Sequence, residues 1–387
     1  MIPLRYSVRN LLVRKVSTGM TVFGIALVVT ILNAVLALAS GLEATLATAA
    51  SPRNVVVLRR GATSAEASAL VPETASRVKA SRGVALGEGG APVATEAFLT
   101  SVMVSARDGG PERLVIARGV DARAVEVHET VSFSVGSAPR PNGGIALGRA
   151  IAAELGGLGV GDSLRFGRRE WSVVGVFEAD GSAFESEVWT DLRDLMTDSK
   201  REHVSAVTFR AAEPARVAEI ARETNEDPSL SVKALTETAY FAEQGRTSAQ
   251  TYRSGMIVAV LMAIGAVFAG MNTMYTAVAS RVREIATLRA LGFGGRSVLA
   301  SFVLESVAIG AAGGVLGAML SAGIFLFVWR NVTILGGGLR QVVVTFRPTL
   351  PLLLTGLLFA AAIGALGGLF PARTASRLQV AEALRRT

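Results

Sequence analysis

Four unbroken apolar runs, each long enough to cross a bilayer, constrain this chain more than anything else in it. A helix rises about 1.5 Å per residue and the hydrocarbon core is about 30 Å thick, so a span takes about 20 consecutive apolar residues. Residues 19–42, 255–279, 297–329 and 349–371 meet that requirement, with Glu305 as their single charge. No other stretch comes close. Half of the residues are hydrophobic and 18% are charged, below the about 25% charged of soluble domains. The apolar excess sits in runs, which separates a membrane protein from a greasy globular one.

Charge follows the same partition. Residues 43–253 carry 24 basic and 28 acidic side chains, and the rest of the chain carries 15 basic and 3 acidic. The net charge of +8 therefore lies in short segments beside the apolar runs, which is a topology signal and not a nucleic-acid footprint. Arg5, Arg9, Arg14 and Lys15 precede the first run; Arg281, Arg283, Arg289 and Arg296 separate the second and third; Arg373, Arg377, Arg385 and Arg386 follow the fourth. With four spans these segments share one side, the cytoplasmic one, which puts both termini inside. Arg330, Arg340 and Arg347 in the third connection count against this, but are outnumbered. Ala37-Leu38-Ala39 has the form of a signal-peptidase site. The run is longer than a signal h-region of about 7–15 residues, so it reads as a retained span.

The expected fold class is a membrane protein: four transmembrane α-helices plus a large mixed α/β extracytoplasmic domain between spans one and two. In detail, 1–18 is a cytoplasmic amphipathic segment, 19–42 the first span, and 43–254 the outer domain with a stalk. The second span is 255–279, a cytoplasmic helix occupies 280–296, and the third span is 297–329. An outer loop follows at 330–348, the fourth span at 349–371, and a cytoplasmic tail at 372–387. Within the outer domain, residues 54–58, 113–118 and 171–177 are β-rich, while 149–155 and 214–224 have helical spacing, with Pro214 suited to a first turn. The glycine-rich stretch 156–162 reads as a turn, since no Lys-Ser or Lys-Thr follows to make it a phosphate loop. Residues 235–252 read either as a helix extending the second span outwards or as a linker.

Lipid gives helices no hydrophobic reason to associate, so they pack through small residues. Gly313, Gly317 and Ser321 recur at four-residue steps in the third span, beside a stripe of Gly310, Gly314 and Ala318; Ala360, Gly364 and Gly368 do the same in the fourth. No ionisable residue lies mid-span, which argues against an ion relay. Glu305 sits near the cytoplasmic edge and is expected to pair with an arginine.

Catalytic chemistry has few candidates. With no cysteine, disulfides, thiolate nucleophiles and cysteine-based zinc sites are impossible. His128 and His203 have no metal-ligand spacing. The acids Glu178, Asp180, Glu185 and Glu187 could mimic a carboxylate pair or form a solvated loop. The only lysines are Lys15, Lys79, Lys200 and Lys233, none after a glycine, so no P-loop is present.

The most informative segment is Ser280-Arg281-Val282-Arg283-Glu284-Ile285-Ala286-Thr287-Leu288-Arg289-Ala290-Leu291-Gly292. As a helix it places Ile285, Leu288 and Leu291/Gly292 on one face, lets Arg281 and Glu284 pair, and stops at Gly292. Such an element suits docking into a soluble partner, or resting on anionic lipid. Here the sequence resembles the MacB/FtsX-like permease family of ABC transporters. The resemblance rests on Glu284-Ile285 followed by Leu288-Arg289-Ala290-Leu291-Gly292 with Asn272 upstream. It extends to Tyr6 through Leu12, to Gly143 through Leu147, Val160-Gly161-Asp162 and Trp171 through Phe177, and to Phe370-Pro371-Ala372-Arg373 with Ala381 through Arg385. Ala286 and Val380 stand where that family has Gly and Pro.

The resemblance implies a permease subunit of the bacterial inner membrane that pairs with a second permease copy, identical or related. A separate ATPase binds ATP and Mg; this chain is expected to be no enzyme and to hold no cofactor itself. Arg281, Arg283, Glu284, Ile285, Leu288, Arg289, Leu291 and Gly292 would form the coupling helix, and Gly313, Gly317, Ser321, Gly364 and Gly368 the helix-packing faces. Partners would be the ATPase, a periplasmic adaptor and membrane lipid, with no nucleic acid. The function implied is export of a lipoprotein, peptide, lipid or drug-like substrate. The alternatives are mechanotransmission that activates a cell-wall hydrolase without transport, and a membrane-anchored binding protein without an ATPase.

Overall fold

The computed structural model describes residues 15–105, 112–327, 331–335, 341–345 and 349–378. Most of the N-terminal segment 1–18 and the C-terminal residues 381–385 lie outside the described residues. The chain divides into two compact units: residues 1–39, 251–330 and 346–387, and residues 40–250 with 331–345.

Among the described residues, four helices are long and apolar enough to cross a membrane. In the first unit they are joined by a short helix. The α-helices among the described residues, in order, are α1 Lys15–Ala49, α2 Pro72–Lys79, α3 Ala124–Val127, α4 Arg149–Glu154, α5 Leu192–Asp198, α6 Val217–Glu226, α7 Glu237–Ser280, α8 Val282–Ala290, α9 Gly295–Phe327 and α10 Leu350–Ser376. Helix α7 is continuous over 44 residues, so the segment 235–252 is helical from Glu237 onwards. Helix α10 runs through Pro371 to Ser376, five residues past the expected end of the fourth span at 371. Proline is tolerated in a spanning helix where its neighbours re-satisfy the freed carbonyl, and Pro371 is buried among them.

Glycine decides how the spans meet. A Cβ on Gly310 would stand 2.5 Å from the Ala360 carbonyl oxygen and 3.0 Å from Gly364 Cα; one on Gly364 would stand 2.5 Å from the Ser306 carbonyl oxygen. Helices α9 and α10 are thus in backbone contact, and any side chain there would force them apart. Gly368 faces the Ser306 side chain in the same seam. The other stripe of α9 meets α1: Gly313 abuts Ile25, and a Cβ on Gly317 would stand 2.7 Å from the Ala26 carbonyl oxygen. Ser321 accepts from Asn33 Nδ2 at 3.1 Å, and the Thr30 hydroxyl donates to the Gly317 carbonyl at 3.2 Å. Asn33 is fully buried, a polar glue the small-residue pattern did not signal. Helix α7 joins through Gly255 against Val35 and Gly270 against Gly367.

The second unit holds the strands β1 Asn54–Arg59, β2 Ala94–Val104, β3 Arg113–Val120, β4 Ser132–Gly136, β5 Gly144–Gly148, β6 Ser163–Phe166, β7 Arg169–Glu178, β8 Glu187–Asp191, β9 Ala206–Arg210 and β10 Val232–Thr236. They form one sheet in the order β10-β1-β9-β2-β3-β8-β5-β7-β4, with β6 also on β7. The pairs are antiparallel except β3·β8 and β5·β7. One apolar cluster, from Val55 through Trp171 to Ala234, fills the unit. The loop expected at 330–348 contains a hairpin, β11 Asn331–Leu335 and β12 Gln341–Thr345, which belongs to this second unit.

Of the acids before Trp189, Glu187 is buried in the sheet and Glu185 in the turn that precedes it, Glu178 is half-buried, and Asp180 is exposed. Arg118 Nε and Nη2 donate to Glu187 Oε2 and Oε1 at 2.6 and 2.9 Å, and Trp189 Nε1 donates to Glu187 at 3.0 Å. Glu185 accepts from the Ala179 and Gly181 amides, and Glu178 pairs with Arg149. Next to this knot, Glu237 Oε2 accepts from the Ser51 amide at 2.9 Å and from Asn54 Nδ2 at 3.0 Å. Glu237 therefore ties the first residue of α7 to the chain just beyond α1.

Burial raises the Glu237 carboxyl to about 7 and, with Arg118 nearby, lowers His128 to about 3. Their 3.6 Å approach is consequently no ion pair at neutral pH. The two groups oppose each other in stability. Folded Glu237 keeps a proton that the unfolded chain releases above about pH 4.5, so its term falls as pH rises towards 7. Folded His128 stays neutral where the unfolded imidazole is protonated, so its term falls as pH drops below 6.5. Glu237→Gln removes the first term and exposes the second. The variant is expected to lose melting temperature between pH 6.5 and 4.5 by more than the wild type does. Parallel thermal-unfolding curves for the two proteins across that window would contradict the assignment.

Candidate functional site between the second and third spans

Helix α7 stops at Ser280 because Arg281 leaves the helical region, at φ −114° and ψ 17°. Helix α8 then runs nine residues and ends in a Schellman motif. The Gly292 amide donates to the Arg289 carbonyl and the Phe293 amide to the Leu288 carbonyl, both at 3.1 Å. Gly292 sits at φ +96°, where an L side chain is strained. No heavy atom lies within 4 Å of a Cβ placed there, so glycine serves the backbone angle and not the packing.

The inward face of α8 is pinned at both ends. At its N-terminal end, Arg281 Nη1 and Nη2 donate to Glu305 Oε2 and Oε1 at 2.9 and 3.1 Å, and the guanidinium lies 6.0 Å from the Phe302 ring centre. Only 4% of the Glu305 side chain is exposed, so two-point pairing is what makes its burial tolerable. At the other end, Arg289 Nη1 donates to the carbonyls of Ser376 and Leu378, at 3.1 and 2.6 Å. Those carbonyls close α10, where unpaired acceptors and the helix dipole favour a cation. Between the pins, Ile285 and Ala286 are buried, Ile285 in one cluster with Val298, Phe302, Ala372 and Ala375.

Arg283, Glu284, Thr287, Ala290 and Leu291 face outward. Leu291 is 73% exposed, which corrects the expectation that it shares the buried face with Ile285. It is the C-cap residue, already turned away from the helical repeat; Leu288 is half-buried. Of the eight residues expected to act here, Arg281, Ile285 and Arg289 are tied to the other spans, while Arg283, Glu284 and Leu291 are exposed. The Arg289 anchor was not legible, because its acceptors are main-chain carbonyls nearly ninety positions away.

Among the described residues, no group of three or more His, Asp or Glu side chains could hold a metal ion. A polar groove of the outer unit is lined by Arg53, Arg123 and Arg210 with Glu126. Each of these guanidiniums has an internal acceptor, in Glu129, in Pro92 and Glu126, or in Glu126 and Glu129.

Gly292→Ala is expected to destabilise the folded protein by about 1–3 kcal/mol through backbone strain alone. Thermal unfolding in detergent measures it, and an unchanged midpoint would contradict the role given to φ.

Two family models cover the chain. The one described as MacB-like periplasmic core domain matches residues 18–226, and the one described as FtsX-like permease C-terminal matches residues 256–380. The macrolide export ATP-binding/permease protein MacB of Brucella abortus is 27% identical over 258 residues, 62% of this chain and 37% of that protein. The uncharacterized ABC transporter permease YvrN of Bacillus subtilis is 34% identical over 115 residues, 30% of this chain and 26% of that one. The match to MacB of Bdellovibrio bacteriovorus takes in 19% of that protein, so the chain spans a minor part of the length of these relatives. The periplasmic region of MacB from Actinobacillus actinomycetemcomitans aligns with 48% of this chain and 90% of its own, at 10% identity and a TM-score of 0.38.

Proposed function

The chain belongs to the MacB/FtsX-like family of ABC transporter permeases, and from that premise we propose that α8 is the handle by which a separate ATPase moves its outer unit. The observation that carries this reading is the division of α8 into two faces. Arg281, Ile285 and Arg289 fasten one face to the other spans, and Arg283, Glu284 and Leu291 present charge beside an apolar tip on the other. A short exposed helix of that kind fits a groove on a soluble partner. The arginines flanking the spans support an orientation with α8 and both termini in the cytoplasm of a bacterial cell, and the outer unit beyond the inner membrane.

ATP and Mg belong to the partner in this reading, since no lysine of this chain follows a glycine and no P-loop is present. ATP-driven closure of two ATPase copies displaces α8 in each of two permease copies. The continuous α7 carries displacement towards the outer sheet. The cargo is a lipoprotein, peptide, lipid or drug-like molecule handled on the outer face with a periplasmic adaptor. The relatives named for macrolide export and for pyoverdine export support export over signalling.

Glu284→Arg or Leu288→Asp is expected to uncouple the two subunits, lowering permease-dependent ATP hydrolysis about tenfold while both proteins remain folded. Reconstituted membranes containing the native partner measure this. Hydrolysis at the wild-type rate in both variants would refute the handle.

A further inference from the structure

Three arginines of the outer unit line one groove. Arg53 stands just before β1, Arg210 ends β9, and Arg123 precedes α3. Main-chain bonds fix where each begins. The Ala211 amide donates to the Arg53 carbonyl at 2.9 Å, and the Ala85 amide to the Arg210 carbonyl at 2.8 Å. Asp121 accepts from the Arg123 amide at 3.0 Å and from the Thr95 hydroxyl at 2.8 Å. Leu86, Glu88 and Glu126 also line the groove, whose volume of about 590 Å³ falls within the about 300–1,000 Å³ of small-molecule sites.

The guanidiniums there are underused. Each is a planar fork of several N–H donors. Among the described residues, Arg210 bonds through Nη2 alone, to the Glu126 carbonyl at 2.6 Å and to Glu129 Oε1 at 2.8 Å. Its Nε is buried without an acceptor, a costly state for a donor. Arg123 bonds through Nη1 alone, to the Pro92 carbonyl at 3.1 Å and to Glu126 Oε2 at 3.3 Å. Arg53 Nη1 stands 3.8 Å from Glu129 Oε1, too far for a hydrogen bond. One oxygen of Glu129 thus faces both Arg53 and Arg210. Glu129 lies just past α3 with 53% of its side chain exposed, and pairs so exposed contribute little and open readily. Once Glu129 turns away, the lining keeps Arg53, Arg123 and Arg210 against Glu88 and Glu126, an excess of positive charge.

We propose that this groove binds a small molecule through a carboxylate or phosphate head, and that Glu129 holds the place of the head until a ligand displaces it. The seat of Glu129 Oε1 shows that an anionic oxygen fits beside Arg53 and Arg210. A head with two or more oxygens offers acceptors to the guanidinium donors that Glu129 leaves idle, and paired charge-assisted bonds of that kind are the strong ones. Leu86, 69% exposed, gives an apolar part of the ligand a surface beside the head. The head belongs either to a free solute or to a lipid phosphate. The site lies wholly within the outer unit and needs neither α8 nor an ATPase, so its failure leaves the handle proposed above untouched.

The test is calorimetric titration of the full chain in an uncharged detergent. The probes are inorganic phosphate, succinate and a short-chain phosphatidic acid kept below its micelle concentration. The wild type is expected to bind at least one of them saturably. Glu129→Gln removes the competing carboxylate and should tighten that binding about fivefold, because more of the protein is open to the head. Arg53→Gln and Arg123→Gln should each weaken it about tenfold. Arg53→Lys keeps the charge without the fork and should fall between Arg53→Gln and the wild type. The Arg53, Arg123 and Glu129 side chains are all partly exposed, so the variants keep their fold, which thermal unfolding checks. Absence of saturable binding in both the wild type and Glu129→Gln overturns the site. So does weaker binding in Glu129→Gln, or binding within about twofold of the wild type in both glutamine variants of the arginines. Tighter binding of phosphatidic acid than of phosphate assigns the head to a lipid, and equal or weaker binding to a free solute; both results sustain the site.

Discussion

A bilayer offers its helices neither a hydrophobic reason to pack nor water for an unpaired polar group. The membrane unit answers with close backbone approach. Helix α9 carries two glycine stripes on neighbouring faces. Gly310 and Gly314 admit α10, and Gly313 and Gly317 admit α1. The approach also brings carbonyls within reach of side chains, so Thr30 can donate to Gly317 and Asn33 can reach Ser321. Each such bond contributes only about 0.6 kcal/mol on average inside a membrane. Their value here lies in fixing which faces meet.

The same logic governs the ends of the helices. Four carbonyls at the end of an α-helix lack partners, and near a membrane surface they are expensive to leave so. Arg289 satisfies the end of α10 and in doing so fastens α8. Glu305 faces the opposite problem, a carboxylate inside a span, and Arg281 neutralises it with both oxygens engaged. Two local electrostatic needs therefore produce one mechanical result, a short helix whose inner face belongs to the bundle and whose outer face is presented. The Ala286 methyl fits within that inner face, which accounts for a small residue at this position.

The outer unit buries a knot of titratable side chains near the point where the chain enters and leaves it. Arg118, Glu187, His128 and Glu237 are all buried, and Glu237 is the first residue of the helix that becomes the second span. Burying one member of such a group without its partners costs about 3–5 kcal/mol, so the knot fixes the relation of α7 to β1 more sharply than apolar packing could. The hairpin between the third and fourth spans joins the same unit from elsewhere in the sequence.

The sequence by itself determined the spans, their small-residue faces, the mixed α/β character of the outer unit and the short charged helix at 280–292. It could do so because a bilayer imposes length and composition, and because helices, strands and glycine stops are local decisions of neighbouring residues. Tertiary structure alone decided which stripe meets which helix, that Arg289 serves α10, that Glu237 holds the exit of α1, and that the loop 330–348 contains strands belonging to the outer sheet's unit. In each of these at least one partner is a main-chain carbonyl, a backbone amide or a strand far away in the chain. Such partners have no residue signature, so no pattern of side chains could announce them.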